Sequence, residues 1–368
     1  MGNLIAIRRY RFLVLAMAAI LVAACGGGSG TGEQTGRSAV SFQVVWDRPV
    51  GFHAASLTDC LDVATVSAEI NGTDGTLLGS GGPWSCSTGS GVIAGLPANR
   101  YATITVAGYG ADGSLLYYGQ NENAIFLTPG TVDGGVITAG PFVPTLLFPA
   151  DASPVATNAL ELRWQRLLGA TGYEVDIAMD NSFSGRSTIQ QLTIQDGNTT
   201  SVRPDAGTLQ ENNIYHWRVR AVSGSNLLGP ASAVRQFTLR ALQITQVTFV
   251  DYAVVATPIT ETVVFQYASI DDSQTQAGAT ISHWSAEITP TEYFSLEDTI
   301  TVNGMTGQGD ILEGTPCPGS SGKKISFVLA NGTLYEFNIS SGICQSSLPP
   351  AVQTLLGQRD TLLGLYQP

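Results

Sequence analysis

Cysteines, histidines and carboxylate pairs are the residues that could do chemistry in this chain, and each set is sparse. Cys25, Cys60, Cys86, Cys317 and Cys344 show no C-x-x-C spacing, and none of the three histidines lies near a cysteine in sequence. Structural zinc sites and dithiol redox centres need such groupings. His53, His216 and His283 are isolated from one another. Asp271-Asp272, with Glu261 and Glu287 in neighbouring segments, could pair for hydrolysis or hold calcium, but the calcium-loop pattern is missing. Ser320-Ser-Gly-Lys323 and Ser321-Gly-Lys-Lys324 each place a lysine three residues after a serine. That spacing activates a serine only at a helix start, and Pro318-Gly-Ser-Ser-Gly322 reads as a turn feeding a strand. H-E-x-x-H, G-x-S-x-G, P-loop and dinucleotide patterns are absent from the sequence. No catalytic residue, metal ligand or cofactor is expected.

The most specific chemistry sits at the start. Arg8, Arg9 and Arg11 precede an uninterrupted apolar run, Phe12 to Ala24, of 13 residues. A membrane-spanning helix needs roughly 20; a basic head, a short apolar core and small residues at its end describe a secretory signal. Val22-Ala23-Ala24-Cys25 resembles the lipobox of bacterial lipoproteins. The resemblance implies cleavage after residue 24 and acylation of Cys25, with three acyl chains holding the protein on a membrane. Gly26 stands where inner-membrane lipoproteins often carry Asp, which favours the outer membrane or cell surface. Gly26 to Ser38 contains six glycines, so residues 25–38 form a lipidated cysteine and a flexible tether reaching about 20 Å.

With Cys25 in a thioether, four cysteines remain, and export would let them pair. Three pairings are formally open. Cys60 with Cys86 and Cys317 with Cys344 keeps each bond inside one apparent module, and closing loops of that length should stabilise by roughly 3–4 kcal/mol. Removing the signal's three arginines from 17 basic residues leaves 14 against 29 acidic ones, a net charge near −15. Nucleic acid is thereby excluded as a partner. With 42 glycines and 12% charged residues, and much Val, Ile and Thr, the chain reads as mainly β.

Residues 39–142 form a first module. Val40, Phe42 and Val44 alternate with polar residues, and Val63 to Ile70 alternates again and stops at the turn dipeptide Asn71-Gly72. In Gly95-Leu-Pro-Ala-Asn-Arg-Tyr101 a turn leads into a strand carrying Tyr101, Thr103 and Thr105 on one face and Ala102, Ile104 and Val106 on the other. The segment is similar to one in Ig-like or prealbumin-like sandwich modules of bacterial surface proteins, with Asn99 in the usual glycine's place. Residues 143–240 follow, with Leu160 to Trp164 as a strand and Gly169 to Asp180 as a turn and strand. Leu209 and Tyr215-His-Trp-Arg-Val-Arg-Ala221, then Gly229-Pro-Ala-Ser232 and Val234 to Leu239, resemble a fibronectin type III domain. The resemblance implies a tyrosine corner at Tyr215, loosened by the lack of the usual preceding proline, with Trp217 and Val219 pointing elsewhere along the strand.

Residues 241–368 match no family pattern. Ile244 to Val250 and Thr262 to Tyr267 read as strands. Lys324 to Ile339 reads as a hairpin about Asn331-Gly332. Prolines at 349 and 350 followed by Val352, Leu355, Leu356, Leu362 and Leu363 predict an amphipathic helix covering one sheet face. The expected architecture is tandem β-sandwiches followed by a smaller α+β domain with a C-terminal helix. Trp46, Trp84, Tyr117, Tyr118 and Trp284 are the candidate ligand-facing aromatics. Two functions fit: a membrane-anchored, non-catalytic interaction, adhesion or scaffolding protein contacting an envelope or extracellular protein or glycan, or a secreted hydrolase or carbohydrate-binding accessory active in residues 241–368.

Overall fold

The computed structural model describes residues 36–47, 60, 62–205, 207–252 and 258–368. The signal, Cys25, most of the tether and His53 lie outside the described residues. The chain is mainly β, with three apolar cores, one per module.

The first module holds β1 (Arg37–Trp46), β2 (Thr65–Gly72), β3 (Leu77–Ser85), β4 (Ser90–Pro97), β5 (Arg100–Tyr109), β6 (Leu115–Gln120), β7 (Ile125–Leu127) and β8 (Gly130–Pro141). They form one sheet, ordered β3-β2-β5-β6-β8-β1-β4, with β7 on β5. The sandwich is thus a single sheet folded over until its edges, β3 and β4, pack together. Glycines permit that approach: a Cβ on Gly79 would lie 2.5 Å from Leu96 and one on Gly81 2.9 Å from Ile93. Asn71 and Gly72 remain within β2, and the backbone turns after them, where Gly75 (φ +83°) donates to the Gly72 carbonyl. Asn99 has φ +61°, a left-handed conformation that Asn tolerates best after Gly, which explains how it replaces glycine before β5.

The second module holds β9 (Leu146–Phe148), β10 (Ser153–Ala156), β11 (Leu162–Trp164), β12 (Ala170–Ala178), β13 (Thr188–Ile194), β14 (Ser201–Val202), β15 (Ile214–Ser223), β16 (Leu228–Ala231) and β17 (Arg235–Arg240). A three-stranded sheet, β14-β11-β9, faces a sheet ordered β10-β17-β15-β12-β13 with β16 on β15, the strand plan of a fibronectin type III-like sandwich. Tyr215 Oη accepts from Gln210 N at 2.6 Å and donates to Gln210 O at 3.2 Å, so the corner closes without the proline. Trp217 and Val219 do not point elsewhere. The two-residue period of a strand puts them on Tyr215's face, where all three are at most 1% exposed.

The third module holds β18 (Ile244–Tyr252), β19 (Ile259–Gln266), β20 (Ser269–Gln276), β21 (Ala279–Ala286), α1 (Pro290–Val302), β22 (Gly322–Leu329), β23 (Leu334–Ile339) and α2 (Pro350–Tyr366). Six antiparallel strands run β21-β20-β19-β18-β22-β23, and residues of both helices complete the core that begins on one face of that sheet. α2 buries Val352, Leu355, Leu356 and Leu362, together with Arg359. α1 begins with a capping box in which Thr289 and Glu292 satisfy each other's backbone N–H groups. Disulfides join Cys60 to Cys86 and Cys317 to Cys344, with Cα atoms 5.5 and 4.8 Å apart. They mark a protein of an oxidising, extracytoplasmic compartment.

The modules are joined differently. Leu115 and Phe142 of the first are buried in the second module's core, against which Ala107, Tyr109 and Tyr118 also pack. The second and third meet through polar groups: Tyr267 Oη accepts from Ala156 N at 3.1 Å, and the Arg240 guanidinium grips both Asp298 oxygens while lying 4.3 Å over the Phe294 ring. Tyr215→Phe should lower stability by about 1–2 kcal/mol through loss of both corner bonds, read as a shift of the urea midpoint without a change in slope.

Candidate functional site

The junction of the first two modules leaves a cleft of about 410 Å³, within the size range of small-ligand sites. One wall is the outer face of the first module's sheet. β2 supplies Ser67 and Glu69, β5 supplies Thr105 and Tyr109, and β6 supplies Tyr118. These side chains share a face because Glu69 pairs with Thr105 and Ala107 with Tyr118 across the ladder, and directly paired residues point the same way. The other wall comes from two loops of the second module, Gly169-Ala170-Thr171 and Ser223-Gly224-Ser225.

The lining is rich in hydroxyl and phenol groups and carries one carboxylate, with no lysine, arginine or histidine. Ser67 Oγ donates to Tyr109 Oη at 3.5 Å. Burial pushes the Tyr118 phenol above its ordinary pKa, with the Glu69 and Tyr109 charges adding to that rise and a hydrogen bond to Thr105 opposing it. Tyr118 packs beside Phe142, ring centroids 6.0 Å apart, and against Gly169, where a Cβ would lie 2.5 Å from the ring. Gly169 also has φ +79°, so both the backbone and the neighbouring ring require glycine there. Glu69 is exposed and points a free acceptor into the cleft mouth.

Of the candidate aromatics, Tyr118 reaches the cleft and the others do not. Adjacent tyrosines on β6 face opposite sides, so Tyr117 packs on the first module's core while Tyr118 turns toward the second module. Trp46, only 8% exposed, stacks edge-on with Tyr117 at 5.3 Å. Trp84 lies edge-on to Phe42 at 5.8 Å and fills space left by Gly81 and Gly91. Trp284 packs on the third core and donates from Nε1 to Asp272 Oδ2 at 2.8 Å. Trp46 is thus a core residue, while Trp84 and Trp284 stay half-buried at the margins of their cores. Among the described residues the exposed aromatics are Tyr252 (40%), at the end of β18, and Tyr101 (57%) with Phe126 (43%), a cross-strand pair on β5 and β7 with centroids 5.0 Å apart. The alternation of β5 separates Tyr101 from Ala102 and Ile104, and burial of the latter pair puts Tyr101 on the outer face.

The remaining chemical candidates scatter. Asp271 and Asp272 occupy opposite faces of β20: Asp271 contacts His283 Nε2 at 2.9 Å, while Asp272 is buried beneath Trp284, and Glu287 is exposed beyond β21. Among the described residues no three metal-binding side chains converge. Lys323, second in β22, pairs with Asp251, which also takes two bonds from buried Arg359, and Lys324 pairs with Glu336 at 2.7 Å, so both lysines of the serine–lysine spacings are held by carboxylates on neighbouring strands. His216 sits on β15 between buried Tyr215 and Trp217. No described helix is long and apolar enough to cross a membrane.

Glu297 is the most enclosed carboxylate, 1% exposed on α1. Its Oε1 accepts from Gln243 N and Ile244 N at 2.7 and 2.8 Å, and Oε2 lies 3.6 Å from Arg240. Desolvation nonetheless dominates and raises its pKa, against the pull of those N–H groups and Arg240. It therefore pins the start of β18, a structural task at the second joint.

Fold and site together define a tandem β-sandwich protein with a polar cleft at its first joint. No protein-family model matches the chain, and no curated protein matches it. Among solved structures, it is similar to the FN1–FN3 domains of chicken CNTN1, at 9% identity over 77% of this chain and 88% of that one, TM-score 0.28. It is similar also to a 1.5-MDa bacterial ice-binding adhesin, at 11% identity over 76% and 86%, TM-score 0.21. A third is the Streptomyces avermitilis alpha-L-rhamnosidase, at 10% identity over 53% of this chain and 24% of that one, TM-score 0.22. At these TM-scores the likenesses carry no argument about the cleft.

Two outcomes follow from the geometry. Gly169→Ala should cost about 1–3 kcal/mol and exceed the cost of Gly113→Ala, a position with φ +81° and open space around it, in paired urea titrations. For Glu297, a folded pKa above the ordinary value of 4.5 means that the folded state holds the proton more tightly, so wild-type stability falls as pH rises from about 4.5 through the raised value. Glu297→Gln lacks that titration, so its stability relative to wild type should improve between pH 4 and pH 7. A pH-independent difference would refute the assignment.

Proposed function

We propose that this chain is an exported, lipid-anchored protein of the bacterial cell envelope, outer membrane or cell surface, that works by non-catalytic contact with an envelope or extracellular protein or glycan. The observation that carries the binding role is the cleft at the first joint: hydroxyls, phenols and one carboxylate face an open space between modules fixed by a common apolar core. Such a lining offers many hydrogen bonds and no nucleophile–base pair. A ligand held there costs little protein reorganisation, because the walls are already in place.

Support for the anchor comes from the order of features at the N-terminus: three arginines, an apolar run too short to span, Val22-Ala23-Ala24-Cys25 and a glycine tether. The pairing of the other four cysteines leaves Cys25 as the odd thiol. The tether and the two sandwiches would then hold the cleft away from the bilayer.

Labelling with an alkyne palmitate analogue in a bacterial host should mark the wild-type chain and leave Cys25→Ala unlabelled, with the variant retaining an uncleaved signal. A labelled Cys25→Ala chain would remove lipidation from the proposal.

A further inference from the structure

The cleft continues along a solvent-facing stripe. On β5, Tyr101, Thr103, Thr105, Ala107 and Tyr109 lie on the outer face, opposite buried Ala102, Ile104 and Val106. The second module packs on the Ala107–Tyr109 end of this stripe, and Thr105 next to it is also enclosed, 9% exposed. Beyond Thr105 the face opens at half-buried Thr103 and exposed Tyr101, which lies eight residues and about 26 Å from Tyr109 at strand rise, with Phe126 beside it. Beside β5 in the ladder, Glu69 and Asn71 of β2 and Gln120 of β6 pair with Thr105, Thr103 and Thr105. Two aromatic stations thus end one strand face, with hydroxyl, amide and carboxylate groups between them.

We infer that this stripe and cleft bind a linear, uncharged oligosaccharide, one end of it seated between Tyr109 and Tyr118 and the chain running toward Tyr101 and Phe126. The inference rests on the non-catalytic binding role proposed above and names its ligand class. Sugar rings present an apolar C–H face that packs on aromatic rings and a rim of hydroxyls that both donate and accept. The hydroxyls of half-buried Ser67 and exposed Thr171 and Ser225 match that rim. Glu69 can accept from hydroxyl donors, as charge-assisted hydrogen bonds do. A polyanionic chain is disfavoured twice: the cleft contains no cation, and the protein's formal charge is −12.

The test uses the full-length chain with cello-, xylo-, malto- and chitohexaose and their disaccharides, and with hyaluronan as the anionic probe, in titration calorimetry at two salt concentrations. At least one neutral hexasaccharide should bind, independently of salt. Glu69→Gln should weaken both the hexasaccharide and its disaccharide roughly tenfold. Tyr101→Ala should weaken the hexasaccharide several-fold and leave the disaccharide unchanged, because only the longer ligand reaches that station. Both sites are exposed, and unaltered melting temperatures would confirm that the variants fold.

No binding of any neutral hexasaccharide at millimolar concentration overturns the inference, as does binding indifferent to both substitutions or salt-sensitive preference for hyaluronan. Cleavage of the bound hexasaccharide would instead overturn the non-catalytic role while leaving the glycan site in place, so the two failures read differently.

Discussion

The burial of Leu115 and Phe142 in the neighbouring module's core is the contact on which the rest depends. Phe142 is fully enclosed and Leu115 is 1% exposed, and side chains of this size stabilise by roughly 2–3 kcal/mol each when buried. A flexible bead-on-string joint would leave both in water. With them in place, β6 and the end of β8 run into the second sandwich, and Phe142 N donates to Leu116 O at 2.7 Å. The outer face of β5 then meets the Gly169 and Ser223 loops at a fixed angle. The cleft is a by-product of that angle: the modules touch at Tyr118 and Gly169 and part around them.

The second joint uses different physics. Arg240, the last residue of β17, is gripped by Asp298 and stacked on Phe294, while Glu297 and Tyr293 of α1 bind the backbone of residues 243 and 244. A carboxylate with two backbone donors and a nearby guanidinium fixes geometry well but contributes little net stability, because its desolvation offsets the attraction. The apolar joint sets strength and the polar joint sets direction. Between them the second module is held at both ends, which favours a stiff spacer over a hinge.

Much of this was legible in the residues. Period-two alternation marked β1, β2, β5, β11 and the β22–β23 hairpin, and the resemblance of the Tyr215 strand to a tyrosine corner signalled the second sandwich, although the side on which Trp217 and Val219 lie was misjudged. Locality favoured the disulfide pairing found. The third module was read least well. β20 and β21, with sequences SIDDSQTQ and ATISHWSA, carry few apolar residues because little of β21 is covered, so alternation is weak there. α1 was missed: Thr289-Pro-Thr-Glu292 is a capping-box signature, but no strong apolar stripe follows it. Arg359 in the buried face of α2 could not be foreseen, since its partner Asp251 lies 108 residues away.

The aromatic candidates show where sequence reasoning stops for function. A tryptophan in a small sandwich offers the largest apolar surface available, and the fold uses it: Trp46 and Trp84 close the first core, and Trp284 shields Asp272. Tyr101 instead stands in solvent, where its hydroxyl tolerates water. Which tyrosine faces out follows from strand parity, as for Tyr101 and Tyr118. What Tyr118 faces depends on the neighbouring module, and no local pattern encodes that. The cleft therefore belongs to the assembly of two sandwiches. A shift of the Phe142 anchor would move Thr171 and Ser225 relative to Glu69 and Thr105 and remove the site, even with every residue of each module correctly folded.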